Sequence, residues 1–373
     1  MNKPKIRFKG FEGEWKDSML SDFSYSICSG RDTAHKGIYP LYGSTGIIGT
    51  TNKPSYNGAM LLVARVGANA GKLQIINEEC GVSDNTLIIK PNGNISVSWL
   101  YYYLVHCNLN HLVYGSGQPL ITGYMLKRIP ILLGSKKECD EIASYFTSLD
   151  AKIAASTSRL SSLKQIKAAS LLNMFPQKGE TVPRVRFKGF QGEWKEKKLG
   201  EVFSERVENN INGQLLSVTL NKGIIRASEN GKLDNSNSDK SKYKVVNIND
   251  IAYISMRMWQ GASGCSKYEG IVSPAYTVIT PKEDIDSSFF SYLFKTDIAI
   301  NKFRLHSQGL TSDNWNLKYP AFSKIDVYCP LDISEQRAIA SYFTALDAQI
   351  TLQRERLEKL KQIKAACLEK MFA

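Results

Sequence analysis

Residues 142–150 read IASYFTSLD, and residues 339–347 read IASYFTALD, the same nonapeptide with one substitution. Each copy is followed by a second repeated stretch, LKQIKAAS at residues 163–170 and LKQIKAAC at residues 360–367. Long stretches that recur at a fixed spacing indicate a duplicated structural unit. The chain therefore consists of two related halves.

The opening of each half is also repeated. Residues 7–16 read RFKGFEGEWK and residues 186–195 read RFKGFQGEWK. Between these openings and the repeated stretches downstream, the two halves diverge, as residues 61–91 and 252–281 show. These two segments share only an apolar run with an arginine, a glycine-rich turn and a second run ending in proline. A constant frame around two different middles is typical of a scaffold that carries two different ligand-binding segments.

The repeated blocks predict two long helices, at residues 135–175 and 332–373. Glycine and proline are absent from residue 135 until Pro176, and Ser135 and Glu138 have the spacing of a capping box, as do Asp332 and Glu335. Apolar residues recur in steps of four and three, which indicates a coiled-coil seam. The seam residues are Ile142, Phe146, Leu149, Ile153, Leu160 and Leu163, and in the second copy Ile339, Phe343, Leu346, Ile350, Leu357 and Leu360.

A narrow apolar seam on a helix about 60 Å long needs a partner to cover it. The other copy is the simplest partner, and an antiparallel pair would relate the two halves by a pseudo-twofold axis. Polar Ser156 and Gln353 interrupt the seam and can fix its register. The alternative is that each helix packs on its own domain. The ends Met174-Phe175 and Met371-Phe372 are candidate partner surfaces, or they complete the core of the scaffold.

The variable segments alternate short β-rich runs with Gly, Asn and Ser turns. The predicted fold class is α+β: two pseudo-twofold-related α/β domains joined by two long antiparallel coiled-coil helices. The predicted divisions are domain 1 at residues 1–134, helix 1 at 135–175, domain 2 at 176–331 and helix 2 at 332–373.

Composition narrows the function. The 373 residues carry 48 Lys and Arg against 35 Asp and Glu, a net charge of +13, which favours an anionic partner such as nucleic acid. The chain has no apolar run near the ~20 residues of a membrane span and no secretory h-region at its start. Seven dispersed cysteines without a CxxC pair indicate reduced thiols and a cytoplasmic protein. Four dispersed histidines do not suggest a zinc site.

Motifs of catalysis are absent from the sequence, which has no P-loop, dinucleotide fingerprint, nucleophile elbow or HExxH. The variable loops instead hold side chains suited to DNA. Arg and Lys pair with guanine edges, Asn and Gln pair with adenine edges, and hydroxyl groups contact phosphates. The candidate DNA-binding residues in the first half are Arg65, Asn69, Lys72, Ser116 and Gln118; those in the second half are Arg257, Trp259, Gln260, Lys267, Gln308 and Thr311. The alternative for each of them is an ordinary loop residue.

The chain resembles the specificity subunits of type I restriction–modification systems over essentially its whole length. The resemblance rests on the RFKGF…GEW openings, on the helix starts at residues 330–347 and, more loosely, 130–150, and on the LKQIKAA…MF helix ends. YGSTGIIG at residues 42–49 and SDNTLIIKP at residues 83–91 also match; in the second half Ser273-Pro-Ala-Tyr-Thr277 replaces the SDNT signature.

This resemblance implies two target recognition domains, each reading one half of a bipartite double-stranded DNA site. It implies that the paired helices set the unread spacer and dock two methyltransferase subunits. Those subunits would supply S-adenosylmethionine and catalysis, so this chain would bind no cofactor or metal and would not be an enzyme. The resemblance further implies that a motor–nuclease subunit can join to cut DNA, and the sequence predicts no contact with a membrane. Two other hypotheses are a self-contained DNA-modifying enzyme with an unfamiliar site and a coiled-coil scaffold without DNA binding.

Overall fold

A computed structural model describes residues 3–112, 120–220, 222–231, 236, 238–311 and 314–372. The chain forms two compact units. Unit 1 comprises Met1–Ser158 with Arg354–Ala373, and unit 2 comprises Arg159–Gln353. Each unit therefore contains one globular part together with a portion of both long helices. The domain divisions at residues 134, 175 and 331 stay a prediction.

Unit 1 contains mostly antiparallel sheets. Its strands are β1 (Lys16–Met19), β2 (Ser24–Ser29), β3 (Tyr39–Gly43), β4 (Gly46–Thr51), β5 (Ala59–Ala64), β6 (Leu73–Asn77), β7 (Gly81–Val82), β8 (Thr86–Pro91) and β9 (Pro130–Leu133). Its α-helices are α1 (Val97–Cys107), α2 (Gly123–Lys127) and the start of α3 (Lys136–Asn173), and short 3-10 helices lie at Leu20–Phe23, Gly67–Asn69 and Leu109–Leu112. The strands form sheets of order β2-β8-β5-β6, β4-β3-β7 and β1-β9, and β3 pairs with β7 in parallel.

Unit 2 repeats this plan with different insertions. Its strands are β10 (Lys195–Lys198), β11 (Phe203–Glu205), β12 (Leu216–Thr219), β13 (Gly223–Arg226), β14 (Lys244–Val246), β15 (Ile251–Ile254), β16 (Ser263–Cys265), β17 (Gly270–Val272), β18 (Tyr276–Pro281) and β19 (Asp326–Cys329). Its helices are α4 (Leu199–Val202), α5 (Ser287–Leu293), α6 (Asp297–His306), α7 (Tyr319–Phe322) and the start of α8 (Ile333–Met371), with 3-10 helices at Ala227–Asn230 and Ser255–Gln260.

The duplication is preserved in the sheet topology. The main sheet of unit 2 has the order β11-β18-β15-β16, the counterpart of β2-β8-β5-β6, and β10-β19 corresponds to β1-β9. The two-stranded sheets β12-β13 and β14-β17 replace the three-stranded sheet of unit 1. The predicted α+β class with two related domains is therefore confirmed.

The two long helices run antiparallel in each unit. In unit 1, Lys364 of α8 donates to Asp150 of α3 at 2.6 Å. In unit 2, Lys167 of α3 donates to Asp347 of α8 at 2.5 Å. Lys167 and Lys364 are equivalent residues of the repeat, as are Asp150 and Asp347, so one sequence supplies both halves of the pairing. The predicted antiparallel helices are confirmed.

Each helix also packs on a globular core. The alternative prediction, that each helix packs on its own domain, therefore holds for part of the seam. Ile142 and Phe146 belong to the core of unit 1 with Trp99, and Phe372 from the end of α8 stacks on Phe146 at 5.8 Å between ring centroids. Met174 and Phe175 take the same place in unit 2 and are 5% and 2% exposed. The Met-Phe ends are therefore core residues, because their apolar side chains leave water there, and their alternative as partner surfaces was wrong.

The repeated openings hold the start of each long helix. Arg7 binds Glu138 through two hydrogen bonds of 2.8 Å, and Trp15 donates its indole N–H to the same carboxylate at 3.1 Å. Arg186, Trp194 and Glu335 repeat this arrangement at 2.7, 2.8 and 3.3 Å. Both carboxylates are buried.

Half of the predicted capping box therefore forms in unit 1, and neither of its side-chain bonds forms in unit 2. Ser135 accepts a hydrogen bond from the Glu138 backbone N–H at 3.2 Å. The Glu138 side chain instead binds Arg7 and Trp15, since a charged pair is stronger than a return bond to the backbone. In unit 2 the Glu335 N–H donates to the backbone carbonyl of Asp332 at 3.1 Å. Spacing alone does not reveal a partner more than 100 residues away in sequence.

Candidate nucleic-acid interface

Arg65 lies directly after the central strand β5 and is half-buried. Its backbone N–H donates to the carbonyl of Asn85 at 3.0 Å, so the SDNT turn fixes its position beside β8. Its guanidinium makes two long hydrogen bonds of 3.4 Å, to the Ser29 hydroxyl and to the carbonyl of Asp84. These weak contacts leave the guanidinium hydrogen-bonding capacity for a ligand at this end of the sheet.

Asn69 and Lys72 lie beside Arg65. The short 3-10 helix Gly67–Asn69 reverses the chain, and Ala64 N–H donates to the Lys72 carbonyl at 2.9 Å where β6 begins. Asn69 is half-buried and Lys72 is exposed. The structure therefore brings together the first three predicted residues of this half.

The residues that follow the second predicted loop of unit 1 lie beside Arg65. Ser116 and Gln118 lie outside the described residues. The residues that follow them return to Arg65, since Ile121 N–H donates to the Arg65 carbonyl at 2.9 Å and Val66 bridges to Leu120.

In unit 2 the matching end of the sheet carries the 3-10 helix Ser255–Gln260. Arg257 and Gln260 are exposed there, and Trp259 is half-buried. The Trp259 indole packs edge-on against Trp315 with 5.2 Å between ring centroids, and its N–H donates to the Met256 carbonyl at 3.0 Å. The aromatic pair joins this helix to the loop that holds Gln308 and Thr311.

The geometry of that loop is set by backbone contacts. Gln308 N–H donates to the Asn316 carbonyl at 3.0 Å, and Asn316 N–H returns a bond of 2.8 Å. Leu317 N–H then donates to the Ser255 carbonyl at 2.9 Å. Gln308 and Thr311 are exposed. The structure therefore brings two separate predicted loops to one end of the unit 2 sheet.

The position of Arg257 differs from what the sequence pattern suggests. Arg65 corresponds to Ser255, because each accepts a backbone bond from the returning chain, from Ile121 and Leu317 respectively. Arg257 lies two residues further on, so the two arginines are not structural equivalents.

The position of Lys267 also differs from that of the other candidates. It follows β16, whose last residue Cys265 pairs with Ile251, the first residue of β15. Lys267 therefore follows the opposite end of β15 from Arg257, and the two ends of this four-residue strand are about 10 Å apart. The structure does not bring Lys267 to the cluster.

A half-buried lysine supports the loop of unit 2. Lys295 donates to the carbonyls of Gly261 and Ser263, the latter at 2.9 Å, and so closes the end of the 3-10 helix that carries Arg257. Burial lowers the pKa of Lys295 to about 8. Sequence reasoning missed this residue, since a lysine in a helical segment gives no sign of its burial.

Comparison with known proteins fixes the family. The model described as "Type I restriction modification DNA specificity domain" matches residues 12–165 and 191–362. The chain belongs to this family. Each match covers one of the two loop clusters and a large part of the neighbouring long helix. Specificity subunits of type I systems are non-catalytic.

Individual relatives are more distant. The specificity subunit of the type I restriction enzyme EcoprrI from Escherichia coli is 24% identical over 176 residues, which are 45% of this chain and 43% of that protein. The match thus spans less than half the length of that relative. The crystal structure of the type I S subunit from M. genitalium has a TM-score of 0.68 at 14% identity, over 100% of this chain and 99% of that one. The HsdS subunit from Thermoanaerobacter tengcongensis has a TM-score of 0.46 at 14% identity, over 100% and 99%.

The described residues contain no cluster of three or more His, Cys, Asp or Glu side chains placed to hold a metal ion. In the same part of the chain, no helix combines the length and apolar character that crossing a membrane requires. The DNA contacts of individual loop residues stay predictions.

Proposed function

We propose that this chain is the sequence-specific DNA-recognition subunit of a type I restriction–modification complex. Each recognition domain reads one half of a bipartite double-stranded DNA site. The observation that carries the proposal is that one four-stranded framework occurs twice and bears a different loop cluster at the same end each time. Equivalent frames with different loops suit two different base sequences.

The candidate readers are the loop residues predicted from the sequence. In the first domain they are Arg65, Asn69, Lys72, Ser116 and Gln118. In the second they are Arg257, Trp259, Gln260, Gln308 and Thr311, with Lys267 as a separate candidate at the other end of β15. A bidentate arginine or amide contact to a base discriminates by about 1–3 kcal/mol.

The proposal includes partners. The long antiparallel helices set the unread spacer between the half-sites and dock two methyltransferase subunits. S-adenosylmethionine binds those subunits and supplies the methyl group; a motor–nuclease subunit completes a restriction complex. The complex acts on DNA in the cytoplasm.

The test exchanges one recognition domain. Residues 1–134 are replaced by the corresponding segment of a specificity subunit with a different target, and the methylated motif of the complex is mapped. We expect a new first half-site with the second half-site and the spacer unchanged. A change in both half-sites, or in neither, would contradict the assignment of one reader to each half.

Two other functions have distinct outcomes. Methyl transfer by the purified chain alone would favour a self-contained modifying enzyme. Binding that is absent in the assembled complex, or that does not weaken with salt, would favour a scaffold, because phosphate contacts give a log–log salt slope of about −0.9 each.

A further inference from the structure

The β12–β13 hairpin of unit 2 ends in a turn whose backbone is fixed by its own residues. The Thr219 hydroxyl donates to the Gly223 carbonyl at 3.1 Å and accepts a hydrogen bond from the Lys222 N–H at 3.0 Å. Gly223 has a φ of +64°, in the left-handed region that favours glycine. The strand that follows is packed into the domain, since Ile224 and Ile225 are 7% and 8% exposed. The hairpin therefore presents the exposed Lys222 side chain from a packed base.

The hairpin tip lies beside the 3-10 helix Ser255–Gln260, which carries predicted DNA-binding residues. Two glycines let the backbones of β13 and β16 approach closely. A Cβ atom at Gly264 would lie 2.7 Å from the Cα atom of Gly223, and a Cβ atom at Gly223 would lie 3.9 Å from the carbonyl oxygen of Ser263. Ser263 is the third residue after the 3-10 helix. Lys222, which precedes Gly223 in the chain, therefore borders the loop cluster of unit 2.

Unit 1 has the corresponding hairpin without this cation. Its strand β3 pairs in parallel with β7, and Leu215, directly before β12, bridges in parallel to β17. The strand after each tip begins with Gly-Ile-Ile, at residues 46–48 and 223–225, so the two hairpins share a frame. The tip of unit 1 is Ser-Thr at residues 44–45, which carries no charge. The lysine at residue 222 therefore distinguishes the second half from the first.

The charges at this end of unit 2 favour an anion. Residues 219–223, 255–263 and 297–318 contain the cations Lys222, Arg257, Lys302, Arg304 and Lys318. The acids of the same segments are Asp297, which is exposed at the first residue of α6, and Asp313, which lies outside the described residues. The cations therefore outnumber the acids around the tip, which attracts a polyanion such as DNA.

Three exposed acids follow the tip elsewhere in unit 2. Glu229 lies beyond the end of β13 and pairs with Arg226 at 3.6 Å. Asp239 accepts a hydrogen bond from the backbone of Ser241 at 2.9 Å. Glu269 directly precedes β17, whose first residue contacts the start of β12, at the base of the hairpin. These acids are thus paired, held in a turn or placed at the base, and they leave the Lys222 ammonium available to a ligand.

We propose that Lys222 contacts a backbone phosphate at the second half-site, so that the hairpin tip extends the second recognition surface beyond the two predicted loops. The proposal rests on the proposed function. A lysine ammonium is a compact charge on a flexible stem and lacks the planar fork of arginine, so it suits a phosphate as a point charge. A phosphate contact positions the domain on DNA and adds no choice of sequence.

The experiment uses the complex of the full chain with its methyltransferase and a duplex carrying the mapped site. The Kd is measured at salt concentrations from about 50 to 200 mM, and the logarithm of the association constant is plotted against that of the salt concentration. Because each phosphate contact contributes about −0.9 to this slope, Lys222→Ala should make the slope shallower by about 0.9. Over this range wild type should lose about three- to fourfold more affinity than the variant.

Two further variants serve as controls. Lys222→Arg keeps the charge and should keep the wild-type slope. Lys195→Ala removes an equal charge from an exposed position on β10, in the sheet that leads to α8, and should also keep the wild-type slope. Lys222→Ala should weaken binding to the mapped site and to a duplex with an altered second half-site by the same factor, within about twofold.

The outcomes separate the hairpin from the function. A wild-type slope in Lys222→Ala, or an equally shallow slope in Lys195→Ala, would overturn the phosphate contact. A loss of affinity confined to the unaltered half-site would overturn it as well, because Lys222 would then read a base. Absence of a split methylation motif with the wild-type complex would instead contradict the proposed function.

Discussion

The buried triad at the start of α8 gives a prediction whose size follows from the structure. Glu335 is 2% exposed and accepts two hydrogen bonds from Arg186 and one from Trp194. The substitution Glu335→Gln keeps the shape, removes the charge and turns an amide N–H₂ toward the guanidinium. Breaking a buried pair by removing one partner costs about 3–5 kcal/mol. Since Arg186 is 14% exposed, water relieves part of the penalty, and we expect about 3 kcal/mol.

Urea unfolding followed by tryptophan fluorescence measures this loss. With a slope of about 3 kcal/mol/M, the midpoint of the transition that includes unit 2 should fall by about 1 M. Glu138→Gln should cause a similar loss in unit 1, because Arg7 and Trp15 contact Glu138 in the same way. Asp140→Asn is the matched control: its pair with Lys136 is 3.5 Å long and exposed, which predicts less than about 0.5 kcal/mol. A loss below about 1 kcal/mol for Glu335→Gln would refute the reasoning.

Three further predictions concern the loops and the helices. Burial lowers the pKa of Lys295 to about 8, so the unfolded chain binds more protons than the folded chain between pH 8 and 10.5. The free energy of unfolding of wild type should therefore rise with pH in that window relative to Lys295→Met, as measured by urea titration. Parallel curves for the two proteins would contradict this. Burial also lowers the pKa of His106, so the free energy of unfolding should fall as the pH drops through about 6.5. The His106→Gln variant should lose this pH dependence in the same assay. An unchanged slope of the free energy of unfolding against pH would exclude His106 as its source. Arg257→Ala should reduce the discrimination between the correct and an altered second half-site by about 1–3 kcal/mol of binding free energy, as measured in binding competitions. Lys267→Ala, at the other end of β15, should reduce this discrimination by less. The reverse order would place the reading surface at the Lys267 end.

Repetition made the frame predictable. The shared stretches around Ile142 and Ile339 carry the helical periodicity, and the reciprocal pairs Lys167–Asp347 and Lys364–Asp150 arise because one sequence faces its own copy. Each copy of the repeat therefore supplies both the lysine and the aspartate that an antiparallel partner with the same sequence requires.

The site was less predictable because its geometry depends on long-range contacts. Alignment of the arginines suggests that Arg65 and Arg257 are equivalent, yet the returning chain binds Arg65 in one unit and Ser255 in the other. Trp315 forms the aromatic link to Trp259 and has no motif that marks it. The register slip between β3 and β4, where Ile47 and Ile48 are exposed, is likewise a property of strand pairing, which the alternation of residues in one strand does not reveal.

The central claim is that the two loop clusters read two separate half-sites. The most direct test co-expresses this chain with its methyltransferase and maps methylated adenines across a genome by long-read sequencing. The account predicts a split motif with a fixed unread gap, present only when this chain is present, in which Arg65→Ala alters the first half and Arg257→Ala the second. A continuous motif, or no new motif while the methyltransferase binds the chain, would contradict the claim.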